Sequence, residues 1–215
     1  MRSIVPNWLQ GALALLLLAL TVWGFVVLPL GEPLPIHWDI AGEPDRFAPA
    51  PVALLLPVVL VAVVIALFRF IDSRSTSEER EARGHIEATV VPLLIGLAAV
   101  IQVIVIMAGL GTPLDIGRTI ALAMAVFLIA IGNVLPKSRR NWRAGIRVPP
   151  TLADDANWQA THRFGGRLFM TSGLLLGVVA LFTGNQVALF LSVLAAAFVP
   201  AIAAVAFSYR YASRK

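Results

Sequence analysis

Long apolar runs alternate along this chain with short polar segments rich in turn-forming residues. A helix rises about 1.5 Å per residue, so roughly 20 apolar residues are needed to cross about 30 Å of hydrocarbon. Six runs bounded by charged or turn-forming residues fit that requirement, at about 8–30, 51–68, 88–110, 119–135, 164–183 and 187–207. The fifth reaches adequate length by starting near Phe164, with Arg167 snorkelling to the interface. Lipid offers no partner to an open backbone, and no ten-residue alternation suggests a barrel, so each run is predicted to be an α-helix. The expected fold is an all-α integral membrane protein, a six-transmembrane-helix bundle forming a single membrane domain over 1–215. The first run exceeds the length of a secretory h-region and lacks a convincing cleavage pattern, which predicts a retained signal anchor.

Composition supports this reading. The chain is 59% hydrophobic and only 13% charged, with a mean hydropathy of +0.85, whereas soluble domains carry about 25% charged residues. With no cysteine there is no disulfide, thiolate nucleophile or cysteine metal site. The net charge of +5 raises the question of nucleic acid, and the distribution of basic residues answers it. Fifteen of the 17 Lys and Arg residues fall on one side of the predicted spans, leaving only Arg46 and Arg118 on the other. Cytoplasmic flanks carry the basic excess, so both termini are expected in the cytoplasm, and no direct nucleic-acid binding is implied.

Three connecting segments hold unusual residues. Residues 72–87 are charged, and Ser75 with Glu78, or Thr76 with Glu79, has the spacing of a capping box that extends the third span into solvent, with a Glu79–Arg83 pair following. The outer loop, 31–50, is net acidic: Glu32, Asp39, Glu43 and Asp45 face a single Arg46, and Gly42-Glu43-Pro44-Asp45 reads as a turn. Prolines at 33, 35, 44 and 49 restrict the segment, so it loses less entropy on binding than a flexible loop. Ile36 and Trp38 are candidate apolar anchors, and the acids are candidate steering charges for a cationic or amphipathic ligand. A metal bound by His37, Asp39 and Glu43 or Asp45 is disfavoured, because no His-Glu-x-x-His pair exists and His85 and His162 belong across the membrane.

The cytoplasmic loop, 136–163, is the densest. Pro136 is expected to end the fourth helix. Pro149 and Pro150 hold the chain extended before Thr151, whose spacing to Asp154 suggests a cap for a short interfacial helix at about Leu152–Arg163. Trp158 and His162 then share a face, with Trp158 at headgroup depth. Lys137, Arg139, Arg140, Arg143 and Arg147 serve as positive-inside anchors attracted to anionic lipid, or as a docking surface for a cytoplasmic partner or a phosphate.

Two strings carry a family resemblance. L-P-x-H-W-x-x-x-G-x-P-D, containing Pro35, His37, Trp38, Gly42, Pro44 and Asp45, resembles the small N-terminal domain of unknown function found in membrane proteins of the SdpI type. G-N-x-L-P-K-x-R-R-N-x-x-x-G-I-R-x-P at 132–149 is similar to the SdpI-family signature, through Gly132, Asn133, Pro136, Lys137, Arg139, Arg140, Asn141, Gly145, Ile146, Arg147 and Pro149. Trp158, Thr161, His162 and Arg163 extend the match, and Pro150 departs from it where an aromatic is commoner. The resemblance implies a multi-pass protein of the bacterial cytoplasmic membrane that protects its cell from a secreted antimicrobial peptide toxin. In some members it also implies signalling through a repressor held at the membrane. Membrane lipids are the remaining expected partner, and no cofactor is implied.

Two other classes compete. A transporter or exporter would place ionisable groups or broken helices near the midplane. Gln102 and Asn133 are the main polar amides within the runs, with Pro57 and Pro92 as kink sites. An enzyme acting on lipid phosphate would use His162 with Arg163, Arg147 and Asp154 or Asp155, but no nucleophile and base stand together in the sequence.

Overall fold

The computed structural model describes residues 7–214, with the side chains of residues 7, 82 and 83 outside the description. Arg2, Lys215 and the expected Glu79–Arg83 pair therefore fall outside the described residues. The chain runs α1 (Asn7–Val27), β1 (Pro33–Trp38), β2 (Pro44–Pro49), α2 (Ala50–Ser73), α3 (Ser77–Gly109), α4 (Ile116–Val134), α5 (Pro149–Ala153), α6 (Asp155–Phe182) and α7 (Gln186–Ala212). Six of these helices are long and apolar enough to cross a membrane, matching the six expected spans.

Helix ends follow local chemistry. Thr76 and Glu79 form the capping box that starts α3, settling which of the two expected boxes is used. Helix α4 stops at Val134, where Pro136 sits in a 3-10 turn over Leu135–Lys137. Helices α2 and α3 run on through Pro57 and Pro92.

Two expectations are corrected. The outer loop is a two-stranded antiparallel hairpin, pairing Leu34 with Ala48 and Trp38 with Pro44. Its four prolines lack the N–H that a wider sheet needs, which keeps the ribbon to two strands. The turn is also earlier than expected: Asp39 Oδ1 accepts from Ala41 N and Glu43 N, Gly42 takes φ +83°, and Pro44 already lies in β2. In the basic loop there is no separate interfacial helix over Leu152–Arg163. Prolines 149 and 150 open the one-turn α5, and Asp154 caps α6 by accepting from Ala156 N and Asn157 N. From Asp155 the helix continues unbroken into the fifth span.

The bundle has two apolar centres. Leu28, Leu34, Leu54, Val105 and Ile106 join α1, the hairpin, α2 and α3, with Leu17, Ile95, Ala98 and Ala99 extending the contact between α1 and α3. Ala121, Ala125, Leu128, Leu176, Ala180 and Leu189 join α4, α6 and α7. Close approach of α4 and α6 depends on glycine: a Cβ on Gly132 would stand 2.6 Å from the Gly166 carbonyl oxygen, and one on Gly173 2.8 Å from that of Ala125. Helices α3 and α4 link the halves. One end of the bundle carries the hairpin with the 110–115 and 183–185 links; the opposite end carries the basic loop.

Candidate functional site

At the hairpin end, a recess of about 350 Å³ lies between the hairpin, α3, α4 and α7. Its lining is mostly apolar, with Ile36, Trp38 and Ile40 from the hairpin facing Ile104, Ile120 and Phe190 from the helices. Such a shape suits one or two apolar side chains of a ligand. Trp38 is half-buried against the cluster around Leu28 and Leu54, while Ile36 is 37% exposed, so one apolar residue fixes the hairpin and the other stays available. Pro35 is buried in β1.

The rim is polar and largely braced. Gln186 at the start of α7 accepts from Gly117 N at 3.0 Å and donates to Asp115 Oδ1 at 2.9 Å, tying α7 to α4. Gly42 leaves the hairpin turn close to this amide, since a Cβ there would sit 3.3 Å from Gln186 Oε1. Arg118 donates to the Thr183 carbonyl oxygen and lies 3.4 Å from Asp115 in an ion pair. Burial raises the Asp115 pKa, but the Gln186 amide, the Arg118 backbone N–H and the Arg118 charge more than offset it, leaving the carboxyl below its usual value.

Across the hairpin, His37 Nδ1 and Asp45 Oδ1 pair at 2.5 Å on an exposed surface. That hydrogen bond is the main cause of a lowered Asp45 pKa. Two of the four acids expected to steer a ligand are thus committed, Asp39 to the turn and Asp45 to His37. Glu32 and Glu43 are exposed and have no ion pair among the described residues.

At the basic end, the predicted signature residues converge, and they do so inward. Trp158 and His162 are both fully buried and stacked at 4.0 Å, so Trp158 packs inside the protein and does not lie along the membrane surface as expected. Continuous helix places it beneath the loop instead. Trp158 Nε1 donates to the Ser138 carbonyl oxygen, and Ile146 N donates to His162 Nε2 at 3.0 Å. Because the backbone N–H can only donate, Nε2 accepts and the ring proton belongs on Nδ1, which faces the Trp158 carbonyl oxygen at 2.8 Å. Gly145 takes φ +112°, and a Cβ there would lie 2.5 Å from His162 Nε2. Asn141 Oδ1 accepts from Arg143 N and Ala144 N to shape the preceding turn.

Thr161 donates to Asn157 Oδ1, which also accepts from the Ser208 hydroxyl, while Asn157 Nδ2 donates to the Ser208 carbonyl oxygen. Neither Asn157 nor Ser208 was singled out in the sequence; a helical polar pair 51 residues apart leaves no local pattern.

Most of the expected basic docking surface is internally engaged. Arg140 pairs with Asp155 at 2.7 Å and donates to the Leu152 carbonyl oxygen; Arg143 and Arg139 lie 3.5 and 3.8 Å from Glu79 and Glu81. Arg147 donates to the Trp142 carbonyl oxygen, and Lys137 to Asn133 Oδ1. Pro149 lies in α5, and Arg163 is exposed. The constellation imagined for lipid-phosphate chemistry is not assembled: His162 uses both ring nitrogens inside the fold, Asp155 is held by Arg140, and Arg147 folds back on its own loop.

These features define a polytopic helical membrane protein with an apolar recess under an acidic β-hairpin at one end and a locked basic loop at the other. The chain matches the SdpI/YfhL protein family over residues 137–207 and DUF1648, a domain of unknown function, over residues 12–61. It is 26% identical over 165 residues to the immunity protein SdpI of Bacillus subtilis (strain 168), covering 77% of each chain. No solved structure matches it. The protein is accordingly a multi-pass protein of the bacterial cytoplasmic membrane.

Proposed function

We propose that this protein gives its cell immunity to a secreted antimicrobial peptide, receiving the peptide at the extracytoplasmic face on the hairpin and the recess beneath it. The observation that carries this reading is the pairing of an apolar recess with exposed, unpaired Glu32 and Glu43, a surface complementary to a cationic amphipathic chain. Similarity to an immunity protein supports the protective role. The basic excess at the opposite end supports the sidedness, with hairpin outside and both termini in the cytoplasm. Protection by binding requires no covalent chemistry. Any relay to a cytoplasmic repressor would run through the outer surface of the basic loop, where Trp142 is 72% exposed.

The test is survival. Cells expressing the protein are challenged with a panel of secreted cationic antimicrobial peptides that kill the parent strain. Expression is expected to rescue growth against at least one, and Glu32→Gln with Glu43→Gln is expected to abolish rescue at unchanged membrane abundance. Rescue that survives the double substitution contradicts the hairpin as receiver. Peptide or small-molecule flux into sealed vesicles, dependent on the protein, would instead establish transport.

A further inference from the structure

The basic end holds two sets of arginines in different circumstances. Those of the loop are engaged within the fold, as described above. Arg163 and Arg167 on α6, and Arg210 and Arg214 on α7, are exposed and have no ion pair among the described residues. Each couple is spaced i, i+4, so each presents two guanidinium groups on one helix face. Between the helices lies a groove of about 600 Å³, lined by Phe164, Ala203, Phe207, Arg210, Tyr211 and Arg214. Its floor is aromatic: Phe164 and Phe207 stack at 4.5 Å, and Phe207 meets Tyr211 at 6.1 Å.

We propose that this groove is a binding site for the headgroup of an anionic phospholipid. Arg210 and Arg214 stand one turn apart at its mouth and offer planar, bidentate donors to a phosphodiester. Among the described residues no carboxylate lines the groove to oppose an anion. Toward the membrane the groove descends to Ala203, and the same helix goes on to expose Ile202, Val199 and Phe198 at 65, 61 and 60%. An acyl chain attached to the bound phosphate has an apolar track to follow there, which a soluble phosphate would not use. Basic pockets between transmembrane helices are a recurrent means of holding anionic headgroups. The occupant is therefore a lipid of the phosphatidylglycerol class, seated against α6 and α7 beside the buried Asn157–Ser208 tie that joins the two helices.

The experiment uses the full chain in nanodiscs of phosphatidylcholine doped with phosphatidylglycerol, followed by native mass spectrometry of retained lipid. The wild-type protein is expected to keep phosphatidylglycerol in preference to phosphatidylcholine. Arg210→Gln with Arg214→Gln is expected to lower that retention at least ~10-fold, a typical loss for removing paired charge-assisted contacts. Phe207→Ala keeps all the charge and is expected to weaken retention severalfold by removing the floor. Lys137→Gln with Arg139→Gln, at the same end but outside the groove, is expected to leave it unchanged. Equal losses from the two charge pairs would overturn the site in favour of diffuse attraction, as would full retention in the Arg210/Arg214 variant. Displacement of the lipid by millimolar inorganic phosphate would show that the acyl track contributes nothing and would also overturn the proposal.

Discussion

The two ends of the bundle use polar residues in opposite ways. At the hairpin end they form a thin rim, with Gln186, Asp115 and Arg118 bracing the mouth of an apolar recess and Glu32 and Glu43 left facing outward. At the basic end they turn inward, and Trp158, His162, Thr161 and Asn157 are all buried in a closed hydrogen-bond network. A binding surface has to keep groups unsatisfied until its ligand arrives, whereas a structural lock satisfies them within the chain. By that criterion the hairpin rim fits the proposed reception of a peptide, the open groups at the basic end are the arginines of α6 and α7, and the loop motif is satisfied within the fold.

The largest expected effect tests the lock. Trp158→Ala removes a fully buried indole and its bond to Ser138, and about 3–5 kcal/mol of stability should go with it. The loss is read as a fall in melting temperature in detergent and in membrane abundance. His37→Ala, on the exposed hairpin, is expected to leave stability nearly untouched. Similar losses from both would erase the contrast between the ends. Gly145→Ala comes next: its φ is +112° and the new Cβ would crowd His162 Nε2, so it should cost at least ~1–2 kcal/mol. Here the readout is the same melt, with Gly31→Ala, where a Cβ meets nothing within 4 Å, as the control.

Between the ends, Gln102 in α3 is fully buried, and neither of its side-chain polar atoms has a hydrogen-bond partner among the described residues. Leaving such a group unmet costs about 1–3 kcal/mol, so Gln102→Leu is expected to raise the melting temperature. If that substitution stabilises the fold and abolishes protection, the amide takes part in the function. Stabilisation with protection intact confines the working surface to the hairpin.

The smallest effect is one of pH and belongs to the hairpin end. Asp45 and Asp115 both have folded pKa values below the ordinary 3.8. Their contribution is therefore complete above 3.8 and is lost as pH falls through the lower folded values. Trp38 fluorescence should change as pH falls below about 4, where the two carboxylates take up protons. Asp45→Asn should weaken the acid transition.

The six spans were legible because length and apolarity in lipid leave the backbone almost no alternative to helix. The Thr76–Glu79 cap and the stop at Pro136 were legible for the same kind of local reason. The hairpin was hidden by its own prolines, which normally demote a strand, and only a two-stranded ribbon tolerates four of them. Trp158 and His162 were found as residues but misplaced, since their i, i+4 spacing is equally compatible with a surface helix and with the buried start of a span. What decides between them is Asp154, which caps α6 and lets the helix run on, and the loop carbonyl of Ser138, which supplies the indole with a buried partner. Gln186 and Ser208 stayed silent because their partners lie far away along the chain.

The chain has no cysteine, so single thiols report cleanly on sidedness. Ile40→Cys on the exposed hairpin turn and Trp142→Cys on the basic loop are each treated in intact cells with a membrane-impermeant maleimide. The account predicts that Cys introduced at 40 is labelled from outside, while the one at 142 is labelled only after permeabilisation. Labelling of position 142 in intact cells with position 40 protected would place the acidic hairpin in the cytoplasm and contradict its role as receiver of a secreted peptide.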